Sequence, residues 1–235
     1  MQTATYQARR GELLTYFDRT AAEAWSRLTS DAPVSGIRAT VRAGRDRMRG
    51  TLLSWLPADL RGARLLDAGC GTGALAVEAA RRGAAVVAID LSPTLVGLAR
   101  ERTPRDLGSG SVEFAVGDML DKDLGRFDHV VAMDSLIHYR APDIARSLAG
   151  LAARCGRDGS VLATFAPRTV PLTLMHVAGR LFPRGDRAPA IEPVSEAHLR
   201  RLLASEPDLD GWHAGRTERV SAGFYISQAL ELVHE

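Results

Sequence analysis

Two stretches at the amino end repeat apolar residues at helical spacing. From Thr5 to Leu28, the residues Leu13, Leu14, Phe17, Ala21 and Trp25 recur near one face, which predicts a helix. Between Pro33 and Trp55, Ile37, Val41, Met48 and Leu52 repeat in the same way, and Pro57 supplies a common stop signal. The rhythm then changes to short apolar runs. "ARLLDAG", "AAVVAID", "SVEFAVGD", "FDHVVAMDSL" and "SVLATFAP" predict five strands, with helices over Ala74–Arg82, Leu95–Arg102 and Ala141–Cys155 between them. Strands alternating with helices predict an α/β fold, a parallel sheet covered on both faces.

The tail has a different pattern. Ser195 to Leu203 predicts a helix with Ser195 as its cap. "WHAGRTERV" and "FYISQALELV" predict two strands joined by a Gly-containing turn, an antiparallel pair at the sheet edge. Residues 167–193 form a Pro- and Arg-rich insertion placed to cover a site. The expected organisation is a helical cap over residues 1–57 and a sheet domain over 58–235.

Composition narrows the class of protein. At 235 residues the chain is long enough for one well-filled core, and its net charge of +2 does not demand a nucleic-acid partner. Cys70 and Cys155 are too few for a disulfide framework and lack the companions of a metal site, which suits a reducing, cytoplasmic compartment. No apolar run approaches the ~20 residues of a membrane-spanning helix, which leaves contact with a membrane surface open. Lys122 is the single lysine among 30 basic residues, so the cationic chemistry of the chain is arginine chemistry.

"LLDAGCGTG" is the densest chemical signal. A strand delivering Asp67 into Gly69, Gly71 and Gly73 lets its backbone lie against a ligand and opens a helix whose amides face it. Asp90 ends the second strand, 23 residues beyond Asp67, where a carboxylate accepts from ribose hydroxyls; Leu91 adjoins it. Asp118 follows the third strand, where it can take an adenine amino hydrogen while Met119 packs on the ring. The glycine spacing does not exclude a dinucleotide, since Ala74 is tolerated at the last fingerprint position. Asp67 decides the matter, being a poor neighbour for a pyrophosphate and a good one for a sulfonium or ammonium group.

These residues, with "GDM" and "FDHVVAMDSLIHY", resemble the Rossmann-like seven-stranded class I methyltransferase fold that uses S-adenosylmethionine. The whole chain, from "LLTYFDRTAAEAWSRL" to "LFPRGDRAPAIEPVSE", is similar to the magnesium-protoporphyrin IX O-methyltransferase family of bacteriochlorophyll biosynthesis. That resemblance implies N-terminal capping helices, S-adenosylmethionine as cosubstrate and methyl transfer to a propionate carboxylate of magnesium-protoporphyrin IX. It implies magnesium only as part of the substrate, and a working contact with the magnesium chelatase that makes it. It also implies catalytic roles for Tyr16 and for His138 of "LIHY". Two alternatives stay open: an O-methyltransferase for another flat apolar acid or quinone precursor, and a non-catalytic porphyrin carrier.

A flat macrocycle with propionates needs an apolar wall and a few cationic donors. Arg38, Arg42, Arg45 and Arg49 fall on one helix face beside Ile37, Val41 and Met48, so Arg38, Arg42 and Arg45 are candidate substrate contacts. Tyr139 and His138 lie just past the fourth strand, at the carboxyl edge where ligands bind such sheets. His138 can orient a carboxylate, take a proton or meet the chelated magnesium. Histidines at 129, 176, 198, 213 and 234 show no metal spacing, and no protein-bound metal is expected. After strand four the chain reads "MDSLIHY" in place of the Asn/Asp-Pro-Pro-aromatic loop of enzymes that methylate bases, a second reason against nucleic-acid substrates.

Overall fold

The structure is a computed structural model. It describes residues 2–20, 22–30, 33, 35–169 and 190–235, without the side chains of 19, 20 and 22–24. Ala21 and most of the expected 167–193 insertion lie outside the described residues.

Seven strands form one sheet in the order β3-β2-β1-β4-β5-β7-β6. They are β1 (Arg64–Ala68), β2 (Ala85–Asp90), β3 (Ser111–Val116), β4 (Phe127–Ala132), β5 (Cys155–Phe165), β6 (Trp212–Ala222) and β7 (Tyr225–His234). The first five pair in parallel, and β7 runs antiparallel to both β5 and β6. The expected antiparallel pair is present, with β7 slotted between β5 and β6.

Alternate residues of the apolar strands serve opposite faces. Leu66, Val130, Val161 and Leu230 join one core with helices α6 (Ala141–Ala152) and α7 (Glu196–Ala204) and with Leu13 of α1 (Ala4–Thr15). Leu65, Val131, Leu162 and Ala229 join the other, with α3 (Gly36–Trp55) and α4 (Ala74–Arg81). Burial on both faces is why these strands read as unbroken apolar runs. Helix α5 (Pro93–Arg102) starts with Pro93 in its first turn and with Ser92 accepting from the Leu95 amide. Ser195 caps α7 by accepting from the His198 amide.

Two expectations on element limits are corrected. The helix expected over Ala141–Cys155 ends at Ala152, because Cys155 already pairs with Phe127 as the start of β5. The single helix expected over Thr5–Leu28 is interrupted: α1 ends at Thr15, a π-helical turn spans Tyr16–Thr20, and α2 covers Ala22–Leu28. In that turn Asp18 Oδ1 accepts from the Ser92 hydroxyl (3.1 Å) and the Thr94 amide (3.2 Å), tying it to the start of α5. Arg102, at the far end of α5, donates to the carbonyl and hydroxyl oxygens of Ser26 and Thr29. The amino-terminal helices are thus fastened to the sheet domain at both ends of α5.

Candidate active site

The loops after β1, β2, β3 and β4 meet at the carboxyl edge of the sheet, and α1, the π turn, α2 and α3 close over them. Between these layers lies a cleft. Gly69, Gly71, Asp90, Leu91, Asp118 and Met119 line its sheet side. Tyr6, Phe17, Trp25 and Arg45 line the helical side, and Asp134, His138 and Tyr139 complete the wall.

The glycine turn has the conformation its sequence calls for. Gly69, Gly71 and Gly73 hold φ of +87°, +55° and +80°. A Cβ on Gly69 would sit 2.4 Å from Ser135 Cβ, whereas one on Gly71 would meet only Trp25 Nε1 at 3.6 Å. The first glycine therefore lets two loops touch, and the second keeps a bare backbone under the indole. Asp90 braces this turn: Oδ2 accepts from the Gly71 amide (2.8 Å) and Oδ1 from the Ser92 amide (3.0 Å). Its carboxyl is pushed up by burial, opposed by those amides.

Asp67 lies beneath the turn and is 2% exposed. Its Oδ2 has no hydrogen-bond partner among the described residues. Burial first, and the Asp90 charge second, push its carboxyl up to about 7, opposed by the Ala76 amide. A buried orphan carboxylate oxygen is costly unless a donor or cation meets it. The site thus fits a ligand with a positive centre, and S-adenosylmethionine carries an ammonium and a sulfonium.

Asp118 is engaged differently from what the sequence suggested. Oδ1 accepts from the Tyr6 hydroxyl and the Leu120 amide, both at 2.8 Å; Oδ2 accepts from Gln2 (3.0 Å) and pairs with Arg10 (3.1 Å). Three donors and one ion pair thus engage the carboxylate. The carboxylate ties the amino-terminal segment to the sheet edge while still lining the cleft. Tyr139, expected against the substrate, is 2% exposed and stacks on Tyr6 with ring centroids 4.8 Å apart. It belongs to this same α1 anchor, and burial raises the phenol pKa of both tyrosines.

Phe17 joins the two expected catalytic residues. Its ring meets Tyr16 edge-on at 5.1 Å and His138 at 6.0 Å, and also touches Trp25 at 5.4 Å. Tyr16 is half-buried, and that burial raises its pKa. His138 is 7% exposed, with Nδ1 3.3 Å from the carbonyl of Ala190, where the chain returns from the 170–189 stretch. Facing a carbonyl, that nitrogen carries the proton in a neutral ring.

The arginine stripe on α3 divides. Arg38 is exposed and does not line the cleft. Arg42 donates to the carbonyls of Leu28 (2.9 Å) and Arg27 (2.8 Å), so its guanidinium caps α2. Helical spacing set the face, but α2 engages one arginine and the other is exposed, so neither lines this cleft. Arg45 reaches the cleft, 4.7 Å above the Trp25 ring and 2.6 Å from Asp134 Oδ2. A neighbouring groove shares Arg45, Gly69 and Met133 with the cleft and adds Arg49 and Asp67.

Trp25, weighed from sequence as packing, and Asp134, passed over, both line the cleft. The signal for Asp134 was available: like Asp67 and Asp90 it is an acid closing an apolar strand.

Comparison with known proteins places this geometry. Magnesium-protoporphyrin O-methyltransferase of Rhodobacter capsulatus is 51% identical over 221 residues, covering 92% of either chain. The chain belongs to the magnesium-protoporphyrin O-methyltransferase family. The Synechocystis member is 31% identical over 93% of each chain. A crystal structure of the Synechocystis magnesium protoporphyrin IX methyltransferase with bound S-adenosylhomocysteine superposes with a TM-score of 0.82 at 30% identity, covering 96% of this chain and all of that one. Residues 132–234 match the family described as magnesium-protoporphyrin IX methyltransferase C-terminus, and 65–159 match a methyltransferase domain. The strand order is that of the class I methyltransferase sheet expected from the sequence. Within the family frame, the aromatic and arginine side of the cleft comes from the helices outside both matched segments.

Proposed function

We propose that the chain transfers a methyl group from S-adenosylmethionine to one propionate carboxylate of magnesium-protoporphyrin IX, giving the monomethyl ester. The observation that carries this reading is the orphan Asp67 carboxylate under a bare glycine turn, next to a cleft walled by Phe17, Trp25 and Arg45. One side suits a small cation-bearing ligand, the other a flat apolar acid.

Gly69, Gly71 and Gly73 expose backbone to the cosubstrate, Asp67 offsets its positive charge, and Asp90 with Leu91 and Met119 holds the nucleoside end. When bound, S-adenosylmethionine supplies a methyl carbon already activated by sulfonium. The acceptor propionate has a reference pKa near ~4, so it is ionised at neutral pH and needs no strong base. The chain's work is therefore alignment and exclusion of water, with the reacting atoms held ~3 Å apart. Phe17 and Trp25 give an apolar wall, His138 lines the cleft beside Phe17, and Tyr16 meets the Phe17 ring edge-on; these two polar groups orient the carboxylate. His138 can orient the carboxylate, take a proton or meet the chelated magnesium. Arg45 binds the propionate that is not methylated, since a cation on the attacking oxygen would blunt it.

Residues 1–57 act as a cap that completes the second pocket, held by the Asp18 and Arg102 contacts to α5. No helix among the described residues is long and apolar enough to cross a membrane. A transient contact with the chelatase, and a cytoplasmic site of action at a membrane surface, extend the proposal, since a poorly soluble porphyrin gains from direct handover.

Incubating the purified chain with labelled S-adenosylmethionine and a panel of magnesium porphyrin, metal-free porphyrin and a quinone precursor tests this. Label should enter the magnesium porphyrin as a base-labile ester. Label in the quinone precursor alone would overturn the substrate assignment, and binding of both ligands without any ester would make the chain a carrier.

A further inference from the structure

Asp134 has a conformation and a set of partners that methyl transfer as described does not use. It is the one non-glycine residue with positive φ among the described residues, at +55°. A left-handed non-glycine residue is strained and persists where its partners over-determine it. Those partners come from three elements. Oδ1 accepts from the Tyr225 hydroxyl (3.0 Å) and Ser227 Oγ (3.2 Å) of β7, and from Thr164 Oγ1 (3.2 Å) of β5. The Asp134 amide donates to Thr164 Oγ1 at 2.7 Å, and Oδ2 accepts from Arg45 Nη1 of α3. Its side chain is only 6% exposed, while that of Arg45 is 20% exposed.

Helix α3 is seated to make this contact. A Cβ on Gly44 would fall 2.5 Å from the Tyr225 ring, so the glycine lets the helix settle on Tyr225 one residue before Arg45. The guanidinium is then fixed twice, by the charge-assisted bond to Asp134 and by the face of Trp25. One nitrogen is used. Among the described residues the remaining N–H groups of Arg45 make no hydrogen bond, and Arg45 and Asp134 both line the cleft. An arginine frozen before its ligand arrives does not lose its rotamer freedom on binding.

We infer that Asp134 is a positioning residue for Arg45: it holds the guanidinium so that its unused N–H groups face a substrate carboxylate. It thereby sets a preference for a porphyrin that keeps a second free acid. This rests on the reading of Arg45 as a propionate contact, and it adds the residue that orients it.

Equilibrium titration of the full chain with magnesium-protoporphyrin IX and with its dimethyl ester, followed by the porphyrin absorption band, reads that preference directly. Calorimetry with S-adenosylhomocysteine runs alongside. Asp134→Asn should weaken binding of the diacid about tenfold and leave the diester and S-adenosylhomocysteine within about twofold. Arg45→Met should abolish the preference, and the double variant should lose nothing further, as expected for two residues acting through one contact. Tyr225→Phe, a milder change, should reduce the preference about threefold in a chain that folds normally. Unchanged or tighter diacid binding in Asp134→Asn, multiplying losses in the double variant, or an unchanged preference in Tyr225→Phe would each overturn the inference. If Arg45→Met itself keeps the preference, it is the propionate role of Arg45 that fails, and the two failures are thereby told apart.

Discussion

Asp90 reaches back from the end of β2 and holds the amide of Gly71 at 2.8 Å, so the residue proposed to hold the nucleoside end also shapes the turn. Its second oxygen holds the Ser92 amide at the start of α5. One carboxylate thus couples two loops of the site.

Asp90→Ala should therefore do more than remove a ligand contact. Two partly buried amides lose their acceptor, which costs ~1–2 kcal/mol of stability. Affinity for S-adenosylhomocysteine should fall at least about tenfold, while porphyrin binding changes little. Urea unfolding and calorimetry with each ligand separately check this; a large loss of porphyrin affinity would contradict the division of the cleft.

Asp67 should make both stability and cosubstrate affinity depend on pH. Its folded carboxyl titrates at about 7, against ~4 in an unfolded chain, so between those values the folded chain holds a proton that the unfolded chain has lost. Its contribution to stability accordingly falls as pH rises from ~4 to ~7 and is level above, by at most ~4 kcal/mol. A cationic ligand favours the ionised form, so affinity should rise as pH approaches 7 and then flatten. Asp67→Asn should remove both slopes. Urea unfolding and ligand titration of wild type and variant at pH 5, 6, 7 and 8 (on the order of one unit apart) compare them, and parallel curves would refute the role.

The two glycines should fail differently. Gly69→Ala meets Ser135 Cβ at 2.4 Å and a φ of +87°, so the ligand-free chain itself should be destabilised, by ~1–3 kcal/mol. Gly71→Ala has room for its Cβ beside Trp25 and meets only the strain of a φ of +55°, so it should lose less stability than Gly69→Ala and weaken binding of S-adenosylhomocysteine. Thermal unfolding separates the first effect, and calorimetry the second.

His138→Ala should lower turnover with little change in either dissociation constant, and Tyr16→Phe should do the same to a smaller degree. Steady-state kinetics with independent binding measurements decide it. Normal turnover with weakened porphyrin binding would move His138 to a binding role.

The linear order of residues was enough to specify the layers of this fold and most of the residues that line the sheet side of its cleft. Both depend on local patterns: apolar runs of strand length, a glycine turn, and acids that end strands. Such features act within a few residues of chain, so their spacing is their geometry. Tertiary structure alone decided the opposite wall. Helical spacing put four arginines on one face of α3, but which reached the cleft depended on what packed against each: α2 took Arg42, solvent took Arg38, and Trp25 with Asp134 held Arg45. Asp118 was legible as an acid at the sheet edge, yet its partners Gln2, Tyr6 and Arg10 lie more than 100 residues earlier in the chain. Lone pairs are filled by whatever donors folding brings near, and no local pattern encodes that choice.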